Sequence, residues 1–150
     1  MTAHPLYRLI YMSTARDDMS DGDLEAILTV ARRSNVAASI TGLLLYGDRH
    51  FLQCLEGEQQ HVETLYDRIA ADPRHSGVLR LIAGPIDARA FPDWSMGFRR
   101  LDRNQASVVA GFVDLASQDV SDVLPPQVPQ EVAVFMEHFS RHNILLSRDR

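Results

Sequence analysis

Ile40-Thr41-Gly42-Leu43-Leu44-Leu45-Tyr46-Gly47-Asp48-Arg49-His50-Phe51-Leu52-Gln53-Cys54-Leu55-Glu56-Gly57 is the stretch on which the fold turns. Two short apolar runs, Ile40 to Tyr46 and His50 to Glu56, flank Gly47-Asp48, a dipeptide suited to a two-residue hairpin turn. They read as antiparallel strands, and Gly57 is expected to end the second. On the period of two, Gln53 shares a face with Phe51 and Leu55, whereas Leu52 and Cys54 point the other way.

The flanks of this hairpin are helical. Upstream, Leu24, Ile27, Leu28 and Ala31 recur at helical spacing. Ser20 with Asp23 three residues later is a helix-start pattern, and Arg32-Arg33 suits a helix end. Downstream, Val62, Leu65, Tyr66 and Ile69 mark a second helix that stops near Asp72-Pro73. Leu6 to Ser13 is rich in β-formers and reads as a first strand, followed by a polar loop from Thr14 to Asp21. Val78 to Ile86 and Trp94 to Leu101 read as two further strands, joined by a loop containing Pro85 and Pro92. The order β-α-β-β-α-β-β predicts an α+β, ferredoxin-like sheet with both helices on one face. Ile10, Met12, Leu44, Leu52 and Cys54 are assigned to the opposite face, which needs a cover. The tail is the candidate: a helix over Ala106 to Leu115, a break at Pro125-Pro126, and a helix entered at Pro129 with Val132, Phe135, Met136 and Phe139 as its apolar stripe. Residues 1–102 form the first unit and residues 103–150 a two-helix extension.

Composition excludes several function classes. The chain has 150 residues, 45% hydrophobic and 23% charged, which is ordinary for one globular domain with a short appendage. The longest apolar runs span a few residues, far short of the ~20 that cross a membrane. The N-terminus lacks a basic region and an apolar core, so no secretory signal is read. The formal net charge of −5 argues against nucleic-acid wrapping. All cations are arginines, which excludes Schiff-base and phosphate-loop lysines. The single Cys54 forbids an intramolecular disulfide and a thiolate zinc cluster, and suits a reducing, cytoplasmic setting. His138 and His142 lie four apart on a helix, but no third ligand accompanies them. No metal site is read. There is no nucleophile motif and no Gly-rich phosphate loop.

What stands out is polarity inside the sheet. Gln53 on the third strand and Tyr11 on the first both point toward the helices, and Asn35 follows the first helix. Two accounts fit: Gln53 and Tyr11 satisfy each other while Asn35 only terminates a helix, or the three surround a planar heterocycle with carbonyl and N–H edges. In the second, Ile27 and Ile69 sandwich the ring and Arg68 reaches a carbonyl edge. Arg33, Arg74 and His75 then meet a phosphate, unless they are plain surface charges.

Six segments together resemble the BLUF family of blue-light sensors using FAD. They are Leu6 to Ser13, Asn35, Ile40 to Leu44, Phe51 to Gly57, Asp72-Pro73-Arg74-His75 and Phe91-Pro92-Asp93-Trp94-Ser95-Met96. They run from about Leu6 to about Leu101 in the family's order. The remainder resembles the helical tail of stand-alone members, with no cyclase or phosphodiesterase domain expected after it.

The resemblance implies roles at the matching positions. Tyr11 would donate an electron and a proton to the excited flavin, and Gln53 would bridge Tyr11 to the N5/C4-carbonyl edge and then rearrange its amide. Asn35 would hold the carbonyl and N3 edge, Arg68 the other pyrimidine carbonyl, and Ile27 and Ile69 would clamp the ring. Trp94 and Met96 would sit on the last strand and exchange or shift; the sequence does not decide which faces Gln53. The expected function is a non-enzymatic photoreceptor signalling to a partner protein or through its own oligomer. The assigned residues address the ring, so FMN stays open beside FAD. The rival is a ferredoxin-like small-ligand binder or enzyme with no light function. A purely structural oligomerisation module comes last.

Overall fold

The computed structural model describes residues 5–47, 49–92, 94–100 and 128–148. Among the described residues, five strands and three helices follow in the order β1 (Leu6–Ala15), α1 (Asp21–Ala38), β2 (Thr41–Gly47), β3 (His50–Glu58), α2 (Gln59–Ala71), β4 (His75–Ile86), β5 (Gly97–Arg100) and α3 (Gln130–Arg148). The sheet order is β4-β1-β3-β2-β5. β1 runs antiparallel to β3 and β4, β2 antiparallel to β3, and β5 parallel to β2. This is the expected split βαβ plan, extended by one edge strand.

Local chemistry sets the helix ends. Ser20 caps α1: its hydroxyl accepts from the Asp23 N–H at 3.1 Å, and the Asp23 carboxylate accepts from the Ser20 N–H at 3.1 Å. This reciprocal pair satisfies two donors that the first turn leaves open, and it holds the Asp23 carboxyl below its ordinary range. At the other end Ser39 takes a left-handed conformation, φ 56°, which turns the chain into β2. Asp72 ends α2, one residue before Pro73.

Both faces of the sheet are buried. Leu9, Tyr11, Leu44, Phe51 and Leu55 pack under Leu24 and Leu28 of α1 and Val62 of α2. On the other face Ile10, Leu43, Leu45, Leu52 and Cys54 pack against Val132, Met136 and Phe139 of α3. The tail therefore covers the second face, as expected. Among the described residues no helix is long and apolar enough to cross a membrane.

Five expectations about these elements need correction. α1 runs on past Arg32-Arg33 to Ala38, so Asn35 lies inside the helix rather than after it. Leu44 pairs directly with Gln53, and cross-strand partners share a face, so it lies under α1 and α2 rather than under the tail. Gly47 still pairs with His50, so the hairpin turn comes one residue later than Gly47-Asp48, and Arg49 takes φ 68°. Gly57 does not end β3, because it remains paired with Tyr7. Trp94 and Met96 precede the last strand, whose pairing with β2 begins at Leu43 and Gly97. The helix expected over Ala106 to Leu115, Leu101 and the boundary at residues 102–103 lie outside the described residues.

Candidate functional site

α1 and α2 do not close completely over the sheet. Between them lies a cleft of about 380 Å³, a size within the ~300–1,000 Å³ of small-molecule sites. Tyr11, Leu44, Phe51 and Gln53 are contributed by the sheet, Ile27 and Asn35 by α1, and Leu65, Arg68 and Ile69 by α2. Asp72, Arg74 and His75, after α2, also line it.

Tyr11 and Gln53 are direct cross-strand partners on β1 and β3. The phenol donates to Gln53 Oε1 at 2.5 Å. Gln53 Nε2 donates to Met96 Sδ at 3.4 Å, and because a thioether only accepts, this contact assigns the NH2 end of the amide and leaves Oε1 to the phenol. Met96 thus meets Gln53. Trp94 belongs to the other face, where its ring stacks on Phe91 with centroids 5.6 Å apart. Burial pushes the Tyr11 phenol above its ordinary range, helped by Tyr66 and Asp72, so Tyr11 is a neutral donor. Tyr66 meets the Tyr11 ring edge-on at 5.7 Å.

Asn35 is buried to 1%. Its Nδ2 donates to the Ser95 carbonyl at 2.9 Å, which leaves Oδ1 facing away from that carbonyl. Among the described residues, Oδ1 is the one buried side-chain nitrogen or oxygen without a hydrogen-bond partner. An orphaned buried acceptor costs about 1–3 kcal/mol. A ligand N–H edge in the cleft removes that cost.

The rim carries charge. Arg74 grips Asp72 with Nη2 at 2.6 Å and Nε at 3.1 Å from the carboxylate, and this holds the Asp72 carboxyl at about 2. His75 Nδ1 lies 2.9 Å from Ser13 Oγ and its ring tilts against Phe51 at 4.9 Å. Burial lowers the His75 pKa despite the pull of Asp72, so the ring is neutral near pH 7. Arg68 lines the cleft from α2. Arg33 does not line it: six residues beyond Ile27, it sits about 120° away around α1 and is exposed.

Two parts of the site, and one buried pair outside it, were missed in the sequence. The Ser95 carbonyl is a backbone group, invisible to side-chain patterns. The pair Arg8–Glu56, with Nε to Oε2 at 2.8 Å, is buried on the tail face. One charge inside each of two apolar strands was a legible signal for it. Leu44 as a cleft residue follows from register alone.

A family profile described as "BLUF: Sensors of blue-light using FAD" matches residues 6–97. Photoactivated adenylate cyclase subunit beta of Euglena longa is 44% identical over 92 residues, which is 61% of this chain and 11% of that protein. The blue light- and temperature-regulated antirepressor BluF of Escherichia coli is 38% identical over 86 residues, 57% of this chain and 21% of that protein. The chain therefore spans a small part of each of these relatives. The dark-state structure of BlrB, a BLUF protein, is 39% identical with a TM-score of 0.63, covering 65% of this chain and 74% of that one.

Proposed function

The chain belongs to the BLUF family of sensors of blue light using FAD and is a flavin-binding light sensor; from that premise we propose which side chains hold the ring and how they turn absorbed light into a signal. Ile27 and Ile69 would hold the ring between them in the cleft, Asn35 Oδ1 would accept from its N–H edge, and Arg68 would donate to a carbonyl edge. The orphaned Oδ1 supports this fit, as does the polar pair Tyr11–Gln53 that the sheet presents to the cleft. Arg74 and His75 serve the phosphate side.

When bound and illuminated, the isoalloxazine supplies an electron acceptor. Tyr11 would give an electron to that acceptor and its hydroxyl proton along the bond to Gln53 Oε1, and would take both back afterwards. The lasting change would be in the Gln53 carboxamide. A rotated or tautomerised amide no longer donates to Met96 in the same way, and the altered network persists because buried hydrogen bonds are strong in low dielectric. Trp94 and Met96, on the connector to β5, pass the change on. Two states of one network are enough to bias a partner or an oligomer.

Residues 1–102 are the light-sensing unit, and α3 covers its second sheet face. The BLUF region is a sensory module, and this chain acts as a sensor rather than an enzyme. Its output is a downstream protein or a second copy of the chain, in the cytoplasm, without nucleic-acid or membrane binding. The observation that carries the reading is the Tyr11–Gln53 hydrogen bond in a cleft of ligand size. An absorption spectrum before and after blue light tests it. The flavin band should shift reversibly to the red; a yellow protein whose spectrum does not move overturns the proposal.

A further inference from the structure

We propose that Glu56 is a positioning residue for the light response: it anchors the connector between β4 and β5 from the face opposite the cleft, and so sets how Met96 meets Gln53. This rests on the photoreceptor reading above. Glu56 stands three residues beyond Gln53 on β3, and that odd separation puts the two side chains on opposite faces. Glu56 is fully buried, at 0% exposure. Oε2 accepts from Arg8 Nε at 2.8 Å and from the Ala90 N–H at 3.1 Å. Oε1 accepts from the Phe91 N–H at 2.9 Å, and the Glu56 carbonyl accepts from Arg89 Nη1 at 3.0 Å. One residue thus holds three consecutive residues of the connector.

Stability alone does not call for this arrangement. A buried ion pair is commonly replaceable by apolar side chains at little cost. What an apolar pair lacks is acceptors for two backbone N–H groups of an irregular segment, which would otherwise be buried unpaired. The charge is there to hold a loop.

The same connector ends at the trigger. Phe91 stacks on Trp94, whose carbonyl accepts from the Gly42 N–H at 3.0 Å. Ser95 is bound by Asn35 and Met96 by Gln53. The contacts at 95 and 96 come from the cleft and change with the Gln53 amide. Those at 89–91 come from the far face and do not. A segment tied at one end by light-sensitive bonds and at the other by fixed ones converts an amide rearrangement into a directed movement of the residues between them. The fixed end also favours the arrangement with Met96 on Gln53, so it favours return to it.

Glu56→Gln tests this in the full-length protein loaded with flavin. The amide is nearly isosteric, but its NH2 accepts nothing, so one connector N–H loses its partner. After a blue flash the red-shifted form should recover more slowly, by about fivefold, the factor for about 1 kcal/mol of hydrogen bonding. Flavin content and the size of the shift should stay the same. A purely structural Glu56 would lower the unfolding temperature without touching recovery. Recovery within about twofold of wild type, or faster, overturns the inference while the wild-type shift stands; a wild type with no shift removes the photoreceptor reading and this inference together. Hydrogen exchange of the wild-type protein in darkness and in continuous light gives a second readout should Glu56→Gln fail to fold. The amides of Ala90 and Phe91 should stay equally protected while those of Met96 and Gly97 change. Light-induced exchange at Ala90 and Phe91, or none at Met96 and Gly97, overturns the inference.

Discussion

Tyr11 and Gln53 face each other across the β1–β3 ladder, and the phenol donates to Gln53 Oε1 at 2.5 Å. The direction of that bond decides the rest of the network. With Oε1 occupied by a donor, the amide NH2 is left for Met96 Sδ, a weak acceptor that is easily given up. A strong bond on one side of an amide and a weak one on the other is a network with one stiff and one yielding contact.

Tyr11→Phe removes the donor and leaves the aromatic body in place. Flavin should still bind, and the light-induced red shift should vanish. Gln53 Oε1 loses its partner, so the unfolding free energy should also fall by about 1–3 kcal/mol. Absorption difference spectra and urea unfolding measure the two effects; a normal photocycle in this variant overturns the role of Tyr11.

Asn35→Ala deletes the orphaned acceptor and the bond to Ser95 together. Flavin affinity should drop by about tenfold, which corresponds to ~1.4 kcal/mol. Fluorescence titration of the flavin-free protein reads this directly. Unchanged affinity means that Oδ1 does not meet the ring.

His75 makes stability depend on pH. Its pKa in the folded protein is lowered from 6.5 by burial, so below pH 6.5 the unfolded chain binds more protons than the folded one. The His75 contribution is therefore complete above pH 6.5 and is lost as pH falls through the lower folded value. Urea midpoints between pH 8 and pH 5 should decline, and His75→Gln should flatten that decline. Asp72 acts in a different window. Its carboxyl is held at about 2 by Arg74, so its contribution is lost only as pH falls from 3.8 toward that value.

Gly42→Ala places a Cβ in collision with the Cys54 carbonyl oxygen and 2.9 Å from its carbon. Both are backbone atoms of the central strand, so β2 and β3 must separate. The cost should be ~3 kcal/mol or more, and the Gly42 N–H bond to Trp94 should weaken with it. A near-native urea midpoint for this variant contradicts the packing described.

Removal of everything after Asp102 uncovers Ile10, Leu43, Leu45, Leu52 and Cys54, the face on which Val132, Met136 and Phe139 sit. The cleft lies on the other face, so flavin binding and the red shift should survive. The truncated protein should self-associate, because an apolar sheet face of that size is left bare. Light scattering and difference spectra separate the two. Loss of flavin would place the tail in the chromophore site.

Much of this protein was legible residue by residue. Ser20 and Asp23 announced α1, the alternation around Gln53 separated the two sheet faces, and the stripe Val132, Met136, Phe139 announced a covering helix. These are short-range signals, because capping and the two periodicities depend on neighbours within one turn or one strand. The hairpin turn slipped by one residue for the same reason in reverse: Gly47 suits a turn locally, but its pairing with His50 across the ladder prevails.

The candidate site divides the same way. The sequence by itself determined the elements, their order and the polar residues that an apolar sheet would not otherwise hold, since burial cost depends on residue type. Only the tertiary structure decided that Leu44 lines the cleft, that Met96 rather than Trp94 meets Gln53, and that Asn35 spends its NH2 on Ser95 and keeps its oxygen free. Those outcomes depend on register and on where an irregular connector is tied, and both are set by contacts between residues about 9 to 60 positions apart.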